Sequence, residues 1–209
     1  MKAKTLLRSH KLPLSFYQRS DVCCIAKDLI GKLLVTTFDN MVTAGRIVET
    51  EAYKGAEDRA SHAWNGRRTN RTEIMYAPGG LAYVYLCYGI NHLFNVVTNA
   101  EDKPHAVLIR GVEPLSGIDG MLLRTGKPKP DHTLTKGPGN VSKALGIYTK
   151  HTGISLQSNE LFIADDGFKI KTSQIIATPR IGVDYAGPDA LLLYRFILKD
   201  SPCVSGRRS

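Results

Sequence analysis

The residues best suited to acid–base chemistry lie together in one short run. The segment Gly45–Tyr53, GRIVETEAY, alternates apolar and polar residues as a half-buried β-strand does. Successive side chains of a strand point to opposite faces, so Glu49, Glu51 and Tyr53 share one face. A carboxylate in a pocket can activate a water molecule and can stabilise a developing positive charge. The alternation alone gives Glu49 and Glu51 equal claims to this role.

A polar, basic loop and three further strand-like runs follow. The runs LAYVYLCYG, HLFNVVTN and AVLIRGVEP predict an antiparallel meander. In the first run Tyr85 and Tyr88 point to opposite faces of the strand, so they cannot have the same role. Asn95 and Arg110 interrupt apolar strands, where an unpaired buried polar group costs about 1–3 kcal/mol. We therefore expect both residues to be paired, either within the protein or with a ligand.

Charge and cysteine usage narrow the class of protein. The chain has 209 residues with 28 Lys+Arg against 19 Asp+Glu, a net charge of +9 that favours a polyanionic partner. Its four cysteines form no CxxC pair and have no metal-ligand spacing with histidine, so we expect neither a disulfide framework nor a zinc site. We also expect no other metal and no cofactor. We find no signal peptide and no run of about 18 apolar residues. We therefore expect a cytoplasmic protein, with no membrane contact.

The remaining pattern predicts an α+β fold. We expect a basic lead-in over residues 1–20, a single domain over 21–200 and a tail over 201–209. Asp21 should cap a helix that ends near Gly31, and Asn140 should cap the helix VSKALGI. Gly45 suggests a bulge. Further strands are expected in LLVTTF, ELFIAD, QIIATPRIGV and ALLLYRFIL, which together predict a mostly antiparallel, curved β-sheet with short peripheral helices.

An ordered series of motifs resembles one family. The runs GRIVETEAY, ASHAWNGRRT, APGGLAYVYLCYG, NVVTN, AVLIRGVEP, LTKGPGN and PRIGV are similar, in this order, to the alkyladenine (3-methyladenine) DNA glycosylases. The resemblance covers roughly residues 29–196. It implies a compact mixed domain without helix-hairpin-helix motifs. It also implies a monomer that acts on double-stranded DNA containing damaged purines, without an obligate protein partner.

The resemblance implies a role for each matching residue. Glu51 would be the base that activates water, with Arg110 holding that water. Tyr53, His62 and Tyr85 would enclose the extruded purine, and Asn95 would disfavour the amino group of guanine. Tyr88 would wedge into the gap in the duplex. Possible phosphate contacts are Arg67, Arg68, Arg71, Lys136 and Lys143.

Other interpretations of the same residues are open. Exposed carboxylates on strands are common, and His62 alone resembles a surface loop histidine. A non-catalytic nucleic-acid-binding module would use the tyrosines for stacking but would not need Glu51. A glycosylase with lyase activity needs an amine nucleophile, and no lysine occupies the position of the active acid. Metal-dependent hydrolysis lacks an HExxH signature.

Three features depart from the family pattern. The run GIDGMLLRTGKPKPDHT matches loosely, Cys203 replaces a frequent tryptophan, and RTNRTE lacks the usual arginine-asparagine pair. The substrate range is therefore open among 3-methyladenine, 7-methylguanine and hypoxanthine. A cationic purine suits a tyrosine cage because cations are attracted to aromatic faces.

Overall fold

The computed structural model describes residues 10–206, which build an eight-stranded sheet with short helices beside it. The strands are β1 Leu33–Thr36, β2 Thr43–Tyr53, β3 Ala82–Cys87, β4 Asn91–Thr98, β5 His105–Ser116, β6 Leu161–Ala164, β7 Ile175–Thr178 and β8 Arg195–Leu198. The α-helices are α1 Leu14–Tyr17, α2 Val22–Leu29, α3 Ile118–Thr125 and α4 Pro138–Leu145. Short 3-10 helices cover Phe38–Asn40, Gly55–Glu57, Trp64–Gly66, Glu73–Tyr76, His132–Leu134, Thr149–His151, Thr172–Gln174 and Asp184–Leu191.

All the strand pairs are antiparallel, as predicted. The strand order is β3-β4-β5-β2-β1-β6. In addition, β8 pairs with β2, and β7 pairs with β8. Strand β2 is central because it pairs with β5 along one edge. Along its other edge it pairs with β1 as far as Arg46 and with β8 from Glu49 to Glu51. The register of β2 and β5 shifts between Ala44 and Gly45, which confirms the predicted bulge. Two more shifts leave Val48 and Arg110 without Cα partners, so bulges flank the acidic residues.

The two faces of the meander have different surroundings. Val84, Phe94 and Val107 face the main core, which packs under α2 and α4. Tyr83 and Val97 point to the opposite face and pack in a smaller cluster with Ala63, Met75, Tyr76 and Ala106. This separation follows the alternation of the sequence, since neighbouring residues of a strand face opposite ways.

Helix boundaries were predicted with mixed success. The carboxylate of Asp21 accepts hydrogen bonds from the backbone N–H groups of Cys23 and Cys24, which confirms it as the N-cap of α2. The prediction for Asn140 was wrong. Helix α4 begins at Pro138, after Gly137, because proline's fixed φ suits a first helical position. Asn140 lies inside the first turn and donates from its side chain to backbone carbonyls before the helix.

The C-terminal strands are shorter than predicted. Strand β7 ends at Thr178 because Pro179 follows it, and proline cannot donate to a ladder. Most of the apolar run before β8 belongs to a 3-10 helix and the turn after it. In the N-terminal half, β1 ends at Thr36, and Asp39 and Asn40 turn the chain with positive φ angles.

The predicted lead-in and the predicted tail both contribute buried residues to the structure. Leu12 and Tyr17 of the lead-in are buried, as are Cys203 and Val204 of the tail. Residues 1–9 and 207–209, which complete these two predicted segments, lie outside the described part of the chain. Within residues 10–206, no helix combines the length and apolarity needed to cross a lipid bilayer.

Candidate active site

A cavity of about 620 Å³ opens on the face of the sheet opposite the main core. Its walls come from the meander, from the loop after β2, from the start of α4 and from the segment before β8. Tyr83, Tyr85, Asn95, Leu108 and Arg110 line its floor. These positions share the strand face that carries Tyr83, so the cavity is built on the alternation already described.

One row of paired residues runs across the sheet at this point. Tyr83 is opposite Asn95, Asn95 is opposite Leu108, and Leu108 is opposite Glu51. Glu51 in turn pairs with Arg195 of β8. Directly opposed residues of an antiparallel pair project to the same side. The register therefore brings Glu51 to the cavity side of the sheet.

Glu51 is fully buried immediately behind the cavity wall. Its Oε2 atom accepts a hydrogen bond from the Tyr53 hydroxyl at 2.8 Å and one from Arg110 Nη1 at 3.3 Å. Its Oε1 atom accepts one from the backbone N–H of Ile181 at 2.8 Å. Tyr53, Arg110 and Ile181 all line the cavity, whereas the Glu51 side chain does not. The carboxylate thus reaches the cavity only through its three donors.

Among the described cavity-lining residues, Glu49 contacts only Arg110, and it accepts more hydrogen bonds than Glu51 does. It accepts hydrogen bonds from Arg110 Nε at 3.1 Å, from Arg195 Nε at 2.7 Å, and from both the backbone N–H and the hydroxyl of Ser205. Burial tends to lower the pKa of Arg110, but the carboxylates of Glu51 and Glu49 outweigh it and raise the pKa. Arg110 is therefore a permanent cation shared by the two acids.

His62 and two tyrosines form an aromatic wall. The His62 and Tyr85 rings meet edge to face, with centroids 4.6 Å apart. Arg71 Nη2 lies 3.2 Å from His62 Nε2, and arginine only donates, so Nε2 must be the acceptor. Nδ1 then carries the proton and donates to the Tyr83 hydroxyl at 2.8 Å. Burial, with Arg71 and Arg67 nearby, lowers the pKa of His62 to about 4, so the ring is neutral at pH 7.

Tyr53 is the ring on the Glu51 side. Burial and the neighbouring Glu51 carboxylate raise its pKa, so the phenol keeps its proton and donates it to Glu51. The guanidinium of Arg180 lies 4.8 Å from the ring centroid. Arg180 also forms two hydrogen bonds to the buried carboxylate of Asp58. Arg180 thus covers one face of Tyr53.

The structure fixes the orientation of the Asn95 amide. Its Nδ2 atom donates to the backbone carbonyls of Tyr83 and Leu93, each at 3.2 Å. Carbonyl oxygens only accept, so the nitrogen of the amide must face them. Asn95 is buried and lines the cavity, as the predicted pairing of a polar strand residue requires.

Tyr88 lies at the tip of the β3–β4 hairpin. It is 91% exposed, and its φ of 51° is in the left-handed region. Gly89 follows with a φ of 72°, and Ile90 N–H closes the turn on the Cys87 carbonyl. Such a turn is typical of tight hairpins, but tyrosine is an uncommon residue at positive φ. The turn presents a large ring to solvent beside the cavity.

The basic residues predicted to contact phosphates differ in their surroundings. Arg71 lines the cavity, and Arg67 and Lys143 are exposed. Lys136 is half-buried. Arg68 forms ion pairs with Glu73 and Asp102, which compete with a phosphate. Phosphate contact therefore stays a prediction for all five. Within residues 10–206 we find no group of three or more metal-ligating side chains.

Comparison with known proteins supplies the family. The sequence model of the methylpurine-DNA glycosylase family matches residues 15–202. The chain belongs to the methylpurine-DNA glycosylase family. Accordingly it is a DNA-repair glycosylase, a hydrolase that acts on N-glycosidic bonds in DNA.

Curated relatives of this glycosylase cover nearly the whole chain. A protein of Chlamydia abortus is 47% identical over 188 residues, which are 90% of this chain and 97% of the relative. Proteins of Bacillus mycoides and Clostridium perfringens are 44% and 42% identical, covering 92% and 93% of this chain and 98% of each relative. All three carry the name "Putative 3-methyladenine DNA glycosylase".

Several residues of the glycosylase site carry little signal in the sequence around them. Arg180, Ile181 and Tyr185 contribute to the cavity or support it, but only the run PRIGV signalled this region. Arg195 and Ser205 also went unnoticed, since nothing near them in the sequence indicates that they contact Glu49.

Proposed function

We propose that this glycosylase extrudes an alkylated or deaminated purine into the cavity and hydrolyses its N-glycosidic bond with Glu51 as the base. The bases we propose are 3-methyladenine, 7-methylguanine and hypoxanthine. The observation that carries the proposal is the Glu51 carboxylate held by three groups of the cavity wall, from Tyr53, Arg110 and Ile181. The product would be an abasic site.

The buried Glu51 carboxylate has one acceptor position that its three donors do not use. A carboxylate offers about four acceptor positions, and three of those on Glu51 are taken. A water bound at the remaining position, beside Arg110 Nη1, would lose a proton to Glu51 as it attacks the sugar C1′. The same negative charge would stabilise the positive sugar that forms as the base departs.

The aromatic side chains suit a purine that stacks on them. Arg180 covers one face of Tyr53, which leaves the other face for the base. His62 and Tyr85 would form the opposite wall. A ring held between aromatic groups regains part of the stacking lost on extrusion, which costs a few kcal/mol. Tyr88 would fill the gap left in the duplex.

Asn95 would discriminate against normal guanine. Its amide cannot rotate without breaking two hydrogen bonds to backbone carbonyls. A rigid amide at the cavity floor would clash sterically with the exocyclic amino group of guanine, which hypoxanthine lacks. 7-Methylguanine keeps that group, so its excision would depend on the attraction of its positive charge to the aromatic faces. Asn95 would therefore act by exclusion.

We propose a monofunctional reaction by a monomer. A lyase step needs an amine that forms a Schiff base. No lysine is found among the described residues that line the cavity, which supports hydrolysis without strand cleavage. The groups that hold Glu51 all belong to this chain, so the proposed site needs no residue of a second chain.

Release of free base from a methylated duplex and from a hypoxanthine duplex tests the proposal. Glu51→Gln keeps the shape of the side chain but removes the base, and should slow release about 10²- to 10⁴-fold. Glu101→Gln, at an exposed glutamate outside the cavity, is the matched control and should leave release unchanged. Full activity of Glu51→Gln would reject Glu51 as the base.

Borohydride trapping addresses the monofunctional assignment separately. The enzyme and a damaged duplex are incubated with borohydride, which reduces any Schiff base to a stable covalent bond. We expect no protein–DNA adduct. An adduct would show that an amine attacks the sugar and would contradict simple hydrolysis.

A further inference from the structure

The C-terminal segment Cys203–Ser205 lies against the back of the candidate site. Cys203 and Val204 are buried and pack with Val48 beside the acidic residues of β2. Gly111 of β5 permits this approach, because a Cβ there would lie 2.6 Å from the Cys203 carbonyl oxygen. The segment therefore reaches Glu49 only because a glycine faces it.

Ser205 joins Glu49 to Arg110. Its hydroxyl donates to Glu49 Oε1 at 2.9 Å and accepts from Arg110 Nη2 at 3.2 Å. Its backbone N–H donates to Glu49 Oε2 at 2.7 Å, and its carbonyl accepts from Arg195 Nη2. All of these groups are buried. Ser205 thus uses its N–H, hydroxyl and carbonyl on the charged groups behind the cavity.

These contacts determine the orientation of the Arg110 guanidinium. A guanidinium is planar and rigid, so two contacts fix the direction of its third nitrogen. Nε is held by Glu49 and Nη2 by Ser205, which leaves Nη1 directed at Glu51. The backbone does not hold Arg110 in regular register, because it lies at a bulge. Its direction therefore depends on side-chain contacts.

We infer that Ser205, together with Glu49, is a positioning residue that aims Arg110 at Glu51 and at the attacking water. This role rests on the proposed function, since it acts through the water that Arg110 and Glu51 would share. Small errors in the placement of a reacting group cost large factors in rate, so the catalytic step should depend on Ser205 although this residue does not line the cavity.

Ser205→Ala tests this role with little risk to folding, because the backbone N–H bond to Glu49 remains. We expect the single-turnover rate of base release to fall about tenfold to a hundredfold. The affinity for damaged DNA and the melting temperature should stay close to the wild type. Ser201→Ala is the matched control, since its hydroxyl also donates to a carboxylate, that of Glu113, in the same segment. It should keep the wild-type rate.

A double-mutant cycle separates positioning from general stability. Arg110→Lys removes the planar group that Ser205 orients, so Ser205→Ala should slow Arg110→Lys less than it slows the wild type. Equal rates for Ser205→Ala and Ser201→Ala, with an active wild type, would overturn the inference alone. Additive losses in the cycle would also overturn it. A wild type that releases no base would instead refute the proposed function and the inference with it.

Discussion

At the residue scale, the buried charges of the candidate site balance one another. Three buried guanidinium groups pair with three buried carboxylates: Arg110, Arg180 and Arg195 with Glu49, Glu51 and Asp58. Among residues 10–206, Arg71 has no carboxylate within ion-pair distance, although it lines the cavity. It donates a hydrogen bond to the neutral ring of His62. Arg71 is therefore a cation whose charge acts directly on the cavity.

The charge of Arg71 predicts the titration of His62. Burial is the larger cause of its pKa of about 4, and Arg71 is the next. Arg71→Met should raise this pKa but leave it below the ordinary 6.5, since burial remains. Between about pH 6.5 and 4 the unfolded chain binds a proton that the folded chain does not, so this residue lowers stability as the pH falls.

Nuclear magnetic resonance of the His62 imidazole checks this prediction directly. Arg68→Met is the control, because Arg68 is paired with Glu73 and Asp102 and does not contribute to the shift. The same pKa in wild type and Arg71→Met would mean that burial and Arg67 hold the ring neutral without Arg71.

The sequence specified the acidic residues but could not choose between them. Strand alternation placed Glu49 and Glu51 on one face, and both contact Arg110. Their difference comes from residues far along the chain: Ile181 donates to Glu51, and Ser205 donates to Glu49. Contacts over more than a hundred residues leave no local pattern, so the distinction required the family resemblance.

At the element scale, one buried ion pair connects two walls of the cavity. Asp58 belongs to the loop after β2, and Arg180 precedes the segment that lines the other side. Asp58 also accepts from the backbone N–H groups of Lys54 and Ala60, so it orders its own loop. The two irregular segments are therefore held by charge and hydrogen bonds.

Asp58→Asn should destabilise the protein by about 3–5 kcal/mol, because it leaves the Arg180 guanidinium buried without a counter-charge. Urea unfolding measures the loss. Asp28→Asn removes an exposed ion pair with Arg19 and should cost at most about 1 kcal/mol. Equal midpoints for the two variants would show that the buried pair does not hold the loops together.

The hairpin turn of β3 and β4 supports a second prediction at this scale. Tyr88→Ala removes an exposed ring without disturbing the core, so the fold should be unchanged. If Tyr88 fills the gap in the duplex, binding to a damaged site should weaken by about 1–3 kcal/mol, the usual value of stacking on a base. Ile90→Ala, an exposed apolar residue in the same turn, is the control. Fluorescence anisotropy with a damaged duplex would disprove the wedge role if both variants bind alike.

Elements with strong local signals were predicted correctly, and those that depend on context were not. Asp21 and the apolar spacing after it define α2 through contacts within one turn. The run ALLLYRFIL is apolar enough for a strand, but the 3-10 helix that contains Gly187 and Pro188 extends into it as far as Leu191. Asn140 suits an N-cap by type, yet Pro138 already begins the helix. Composition alone could not rank these competing signals.

At the scale of the whole molecule, the two faces of the sheet have different roles. The main core lies on one face and the cavity on the other, so apolar residues of the meander stabilise the fold while their neighbours build the site. The net charge of +9 is a property of the whole molecule, because the three buried guanidinium groups of the site are balanced by three buried carboxylates. The surplus of cations is therefore available at the surface.

That surplus predicts a steep dependence of DNA binding on salt. Each neutralised phosphate contributes about −0.9 to the slope of log affinity against log salt. Arg67, Arg71 and Lys143 are exposed, and none of them has a carboxylate partner among the described residues.

Lys143→Ala should reduce the slope by about one and weaken binding to damaged and undamaged duplexes alike. Lys143 lies on α4, whose first turn lines the cavity, whereas the exposed Lys169 lies in the loop after β6, which does not. Lys169→Ala should therefore leave the slope unchanged. A flat salt response of the wild type would show that the charge does not bind phosphate, and equal slopes for the two variants would remove Lys143 from the DNA interface.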